Sequence, residues 1–149
     1  MIDSHCTAGY AIALHISFTT PRFLFQTYNK DWMDVYSENG LVLKDPTVLW
    51  GFSNTGVKRW NDLKEMDVNQ VLPLARKYGL KYGFTFAIHQ DDSRSIGSFA
   101  RTDRDFSDQE IESLAAIATD LHAHTEKIKK LSNEELTQLK TLSVNYTRG

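Results

Sequence analysis

Apolar and polar residues alternate over positions 10–16, with Tyr10, Ile12, Leu14 and Ile16 on one face and Ala11, Ala13 and His15 on the other. A period of two marks a strand. The run Ser17-Phe18-Thr19-Thr20-Pro21 is turn-like, and residues 23–28, aromatic and apolar, read as a second, antiparallel strand. The period then lengthens. Trp32, Val35 and Tyr36 stand at helical spacing in a segment that starts at Asn29 or Lys30 and ends at Asn39-Gly40. Asp45-Pro46 reads as an N-cap followed by proline in the first turn, opening a helix to about Asn54. Positions 56–60 read equally as a short strand or a loop.

Asp67 is placed to cap a further helix, with Val68, Val71, Leu72, Ala75 and Tyr78 on one face and Gly79 closing it. Strict alternation returns at Tyr82, Phe84, Phe86 and Ile88, followed by a turn at Asp91-Asp92-Ser93-Arg94 and a return strand over 96–101. Ser107-Asp108-Gln109-Glu110 is a capping box. The helix it opens carries Ile111, Leu114, Ala118 and Leu121 on one face and is predicted to run to about Leu131, with a last helix beginning near Asn133. The order β-β-α-α-α-β-β-α-α, with a hairpin near each end, predicts an α+β fold: an antiparallel sheet with helices on both faces.

A chain of 149 residues with 41% hydrophobic and 24% charged residues fits one globular domain. Its net charge of -2 supplies no electrostatic reason for the bulk of the chain to bind nucleic acid. The single cysteine, Cys6, excludes an intrachain disulfide and fits a reducing, cytoplasmic setting. No apolar run is long enough to span a bilayer, and the first residues lack the pattern of a signal peptide.

Few residues are placed for chemistry. His122 and His124 lie two apart on a helix and do not share a face, so they read as surface histidines and not as a chelate. His15 and His89 lie on strands and read as cross-strand neighbours or edge residues, not as general bases. Cys6 sits in an N-terminus expected to be loose, with no base beside it. No catalytic residue, metal site or cofactor is expected, and no enzymatic activity.

One region does concentrate polar-tipped aromatics around a carboxylate. Tyr28, Trp32 and Tyr36 recur every four residues, Asp45-Pro46-Thr47 begins nine residues after Tyr36, and Trp60 follows Asp45 by fifteen. Aromatics at helical spacing are ordinarily core, yet each of these carries a polar handle that burial obliges it to satisfy. Asp45 and Thr47 read equally well as an N-cap and a first-turn residue.

This pattern resembles the autoinducer-binding domain of the LuxR-type quorum-sensing regulators, which share the same Tyr, Trp, Tyr, Asp-Pro and Trp in this register. The segments 9–16 and 78–85 resemble that family's first strand and its helix-glycine-strand passage. The resemblance covers about residues 8–131. It implies an α/β/α sandwich with a five-stranded antiparallel sheet, PAS- or GAF-like in shape, occupying residues 1–131. It also implies a pocket for an N-acyl-homoserine lactone or a close relative. In the family, the residue at Trp32 donates its indole N–H to the lactone carbonyl, and the residue at Asp45 accepts the amide N–H. The residue at Tyr28 donates to the acyl carbonyl, Trp60 forms a wall by the lactone ring, and Tyr36 lines the pocket. These roles suit the residue types: indole only donates, carboxylate only accepts, phenol does either.

The family often places Ser or Thr where Ala100 falls. Either Ser98, on the same strand face, takes over that hydroxyl's part, or the site has one donor fewer. Residues 132–149 resemble a linker and the opening of the family's helix-turn-helix, without the groove-reading helix. No sequence-specific DNA binding by this chain is therefore expected. Three readings follow: a signal receptor, homodimeric or paired with LuxR-type proteins; a ligand-independent inhibitory heterodimer partner; or a sensor of an unrelated small molecule.

Overall fold

The computed structural model describes residues 2–18 and 20–126. Its strands are β1 (Gly9–Ser17), β2 (Thr20–Gln26), β3 (Gly56–Arg59), β4 (Tyr82–Gln90) and β5 (Ser93–Arg101). They form one antiparallel five-stranded sheet in the order β2-β1-β5-β4-β3. Two hairpins thus lie side by side, joined through β1 and β5. The segment left open in sequence is a strand, pairing Gly56 with Ala87 and Arg59 with Phe84. Asp91 and Asp92 both take positive φ, 54° and 57°. This is the left-handed pair that a two-residue turn needs to match strand twist.

The helices are α1 (Ile2–His5), α2 (Lys30–Glu38), α3 (Pro46–Ser53), α4 (Val71–Lys77) and α5 (Asp108–Glu126). Their starts follow the capping signals. The Asn29 side chain accepts from Trp32 N–H, and Asp45 from Thr47 N–H. At α5 the capping box closes in both directions, Glu110 N–H to Ser107 Oγ at 3.1 Å and Ser107 N–H to Glu110 Oε1 at 2.8 Å. The helix expected near Asn133, and the stretch of α5 expected beyond Glu126, lie outside the described residues.

The N-terminus and the Asp67 helix depart from expectation. The N-terminus is packed: Ile2 and Cys6 are buried, and burial pushes the Cys6 thiol up to about 12. Asp67 is a cap, but of a helix that starts later than expected. Its carboxylate accepts from Val71 and Leu72 N–H, both at 2.8 Å, while Val68 is exposed. The three residues between form a loop that ends with Gln70 in the left-handed conformation.

Each face of the sheet carries its own core. On one, Tyr10, Ile12, Leu14, Phe84 and Phe99 pack against Ile111, Leu114 and Ala118 of α5. Side chains of this size contribute roughly 1.5–3 kcal/mol each on burial. The other face meets α2, α3 and α4, with Trp32, Trp50, Trp60, Leu63 and Ala75 in its core.

The alternation of β1 does not run unbroken to Ile16. The pairing with β5 shifts between Ala13 and Ile16, and His15 takes φ 54°. This bulge puts two consecutive side chains, Leu14 and His15, inside: the His15 imidazole bonds to the His122 carbonyl and the Thr125 hydroxyl of α5. Ile16 consequently changes sides and lines the opposite face. His122, expected at the surface, is 1% exposed. Among the described residues no helix is long and apolar enough to cross a membrane.

Candidate ligand-binding site

Between the sheet and α2, α3 and α4 lies a cavity of about 680 Å³, within the range of small-molecule sites. Its floor is made of small side chains, Ala11, Ala13 and Ser98, which is why a sheet covered by helices leaves space here. The wall beside it is close-packed. A Cβ on Gly51 of α3 would come within 2.8 Å of the Ile96 side chain of β5. Val42, Leu43, Leu49 and Phe52 line the cavity and are themselves exposed, so the opening to solvent is rimmed by apolar groups.

Polar groups converge from four elements. Tyr28 precedes the α2 cap, and Trp32 and Tyr36 follow it at four-residue intervals, so all three reach the cavity. The Trp32 indole packs between Tyr36 and Tyr78, with ring centroids 5.6 and 5.7 Å away. Among the described residues its N–H has no protein acceptor. Tyr28 donates to the Ser98 carbonyl at 3.1 Å.

Asp45 is 9% exposed. One carboxylate oxygen accepts from Thr47 N–H at 2.8 Å and Thr47 Oγ1 at 2.7 Å, the other from Tyr36 OH at 2.8 Å. Burial pushes the carboxyl above its ordinary range, and these bonds pull the other way. The same burial, with the Asp45 charge nearby, pushes the Tyr36 phenol up. A carboxylate has about four acceptor positions. Three are used, so Asp45 is both the cap that sequence allowed and an acceptor with capacity left.

Trp60 leads a short 3-10 turn after β3 and lies flat over Gly83, where a Cβ would stand 2.4 Å from its ring. The closeness explains the glycine. The Trp60 indole donates to Thr85 Oγ1 at 3.3 Å, and Thr85 Oγ1 is 2.9 Å from Ser98 Oγ. An indole only donates, so the Thr85 hydroxyl is left to donate onward to Ser98, whose own proton can then point into the cavity.

Of the expected residues, Tyr28, Trp32, Tyr36, Asp45, Thr47, Trp60 and Ser98 all line this one cavity. Ala100 does not. It is fully buried, paired across the sheet with Gly83, beneath the end that the Trp60 indole occupies. Thr85 was not anticipated as part of the site. Its signal is a hydroxyl in an otherwise apolar strand, directly opposite Ser98.

The family model described as "Autoinducer binding domain" matches residues 5–125. The chain belongs to the autoinducer-binding domain family. Within that family, a transcriptional activator of Yersinia ruckeri, YukR, is 28% identical over 71 residues, 45% of this chain and 31% of the activator. VanR of Vibrio anguillarum is 33% identical over 73 residues, 48% of this chain and 30% of that protein. The matched part therefore spans about a third of these relatives. Solved structures agree on the fold. CepR2 of Burkholderia cenocepacia, described as an N-acylhomoserine-lactone-dependent LuxR family factor, superposes with a TM-score of 0.56 at 18% identity. That match covers 78% of this chain and 70% of CepR2. SdiA in complex with octanoyl-rac-glycerol gives 0.58 at 19% identity, covering 85% and 58%.

Proposed function

We propose that this autoinducer-binding domain is the signal-receiving part of a LuxR-type transcription regulator and that its ligand is an N-acyl-homoserine lactone or a molecule of the same plan. One observation carries this reading. An indole N–H without an acceptor and a buried carboxylate with an acceptor position to spare face a single, mostly apolar cavity. A lactone carbonyl complements Trp32, an amide N–H complements Asp45, and an acyl carbonyl complements the Ser98 hydroxyl, or Tyr28 if its hydroxyl turns away from the Ser98 carbonyl it donates to at 3.1 Å. The apolar walls and rim take the tail, at about 0.8 kcal/mol per buried CH₂. Two further carbons that fit then change affinity by roughly an order of magnitude.

Nothing in this site turns the ligand over: the cavity holds no activated nucleophile, and its carboxylate is tied up by three donors. Binding is therefore expected without hydrolysis, and a ligand that binds the native state stabilises it by mass action. Thermal unfolding with lactones of several tail lengths tests the reading. A rise in midpoint that grows with tail length up to a limit supports it; no rise with any of them overturns it. Dimerisation and control of transcription belong to the same reading, in a longer protein context.

A further inference from the structure

The face of the sheet opposite the cavity holds a second polar cluster. His15 of β1, and His122 and Glu126 of α5, bring one ring nitrogen each and a carboxylate oxygen to within 4.8 Å of one another. The two imidazoles are in contact, with centroids 4.5 Å apart. His122 and Glu126 are separated by one helical turn, so both project from one stripe of α5. His15 reaches them only because of the β1 bulge, which holds a non-glycine residue at φ 54°. Such a conformation costs of order 1–3 kcal/mol and persists where its surroundings demand it.

The atoms around the cluster are arranged as supports. Ser93 Oγ lies 2.7 Å from His15 Nδ1, and Ser95 Oγ lies 2.7 Å from His122 Nδ1. His15 Nε2 faces the His122 carbonyl at 3.1 Å and His122 Nε2 the Gln90 carbonyl at 3.4 Å. A carbonyl only accepts, so Nε2 carries the proton on each ring, and Nδ1, beside a serine hydroxyl, is the nitrogen whose lone pair is left for a cation. Glu126 Oε2 is shut off from solvent and has no hydrogen-bond partner among the described residues. A buried carboxylate oxygen without a donor, beside two imidazoles, is suited to a cation.

We propose that His15, His122 and Glu126 form a binding site for one zinc-like divalent cation, which fastens the last described turn of α5 to the bulge of β1. Two nitrogens and one oxygen suit zinc, cobalt or nickel better than magnesium or calcium, which prefer all-oxygen shells. Ligand atoms on one tetrahedral ion sit about 3.3 Å apart. Closing from within 4.8 Å asks the three side chains to approach by at most about 1.5 Å, and Glu126 is half-buried at the end of the described helix. Arg22, whose guanidinium approaches the Thr125 carbonyl, is the opposing positive charge nearby. The site lies across the sheet from the cavity, so it stands whether or not the chain binds a lactone.

The test uses the whole chain, stripped with EDTA and titrated with ZnCl₂ alone in calorimetry, and with CoCl₂ for its visible absorption. One equivalent should bind, with a rise in the unfolding midpoint and a cobalt spectrum of a low-coordinate nitrogen and oxygen shell. Glu126→Gln, at a half-exposed position where misfolding is not expected, should weaken binding about tenfold or more; His122→Gln should do the same if it folds. His124→Ala, on the exposed side of α5, should leave it unchanged. No uptake at micromolar metal, uptake indifferent to Glu126→Gln, or uptake lost with His124→Ala each overturns the proposal.

Discussion

Asp45→Asn separates the two jobs of Asp45. Asparagine caps helices as well as aspartate does, and its carbonyl can take the place of the oxygen that accepts from Thr47 at 2.8 Å. Its amide then faces Tyr36, whose hydroxyl can turn from donating to accepting. The substitution also removes a carboxyl that burial holds above its ordinary range. The ligand-free protein should therefore melt at the same temperature or higher. Ligand binding should suffer, because an amide NH₂ cannot accept the N–H of a lactone. A hydrogen bond to a charged group contributes about 1.5–3 kcal/mol, or roughly ten- to 150-fold in affinity. Calorimetry with an octanoyl-homoserine lactone reads the loss. Methyl octanoate, an ester with a similar tail and neither N–H nor O–H to donate, should bind both proteins about equally if it enters the cavity. The reasoning fails if Asp45→Asn binds the lactone as tightly as the parent chain, or if it melts early and loses both amphiphiles alike.

Other outcomes follow from the same geometry. Because the folded-state pKa of Asp45 is raised, its stabilising contribution is present at low pH and lost as pH rises through that value. Lactone affinity runs the opposite way, since the ionised form is the stronger acceptor: it should fall on acidification at a pH above the usual 3.8, and Asp45→Asn should show no such fall. Gly83→Ala would drive a methyl to 2.4 Å from the rigid Trp60 ring; a loss of about 1–3 kcal/mol in urea unfolding is expected, with weaker lactone binding as the indole moves. Ser107→Ala should cost about 1 kcal/mol by removing the α5 cap. Glu110, held below the usual 4.5 first by Arg104 and then by the Ser107 N–H, stabilises the fold above that pH. The gain drains away as pH falls through its depressed value, so acid unfolding of Glu110→Gln should be less steep.

What was legible in the sequence was local. The capping box, Asn29 and Asp45-Pro46 announce their helices because a cap needs only its own next three residues. Tyr28, Trp32 and Tyr36 were readable as one stripe because a helix fixes their spacing, and the family register tied Asp45 and Trp60 to them. What stayed hidden depends on packing between segments. Ser98 and Ala100 share a strand face, and only the position of the Trp60 indole over Gly83 decides which of them meets the cavity. Asp67 signals a cap, but its long reach to Val71 and Leu72 depends on the left-handed Gln70. His15 and His122 stand 107 residues apart, and strand alternation assigns His15 to the wrong side.

The irregularity in β1 works as a change of parity. Before it, odd-numbered positions look toward the cavity and even-numbered ones toward α5; after it the assignment is exchanged, so Ile16 sits among the cavity walls. Flattening the bulge with the sequence unchanged would restore uniform pleating and invert the distal third of the strand. An imidazole would then hang in a greasy chamber and an isoleucine would press on serines. Alignments of related chains should be phased separately on the two sides of this point, since a gap placed one position away reverses which residues are compared as pocket and which as core.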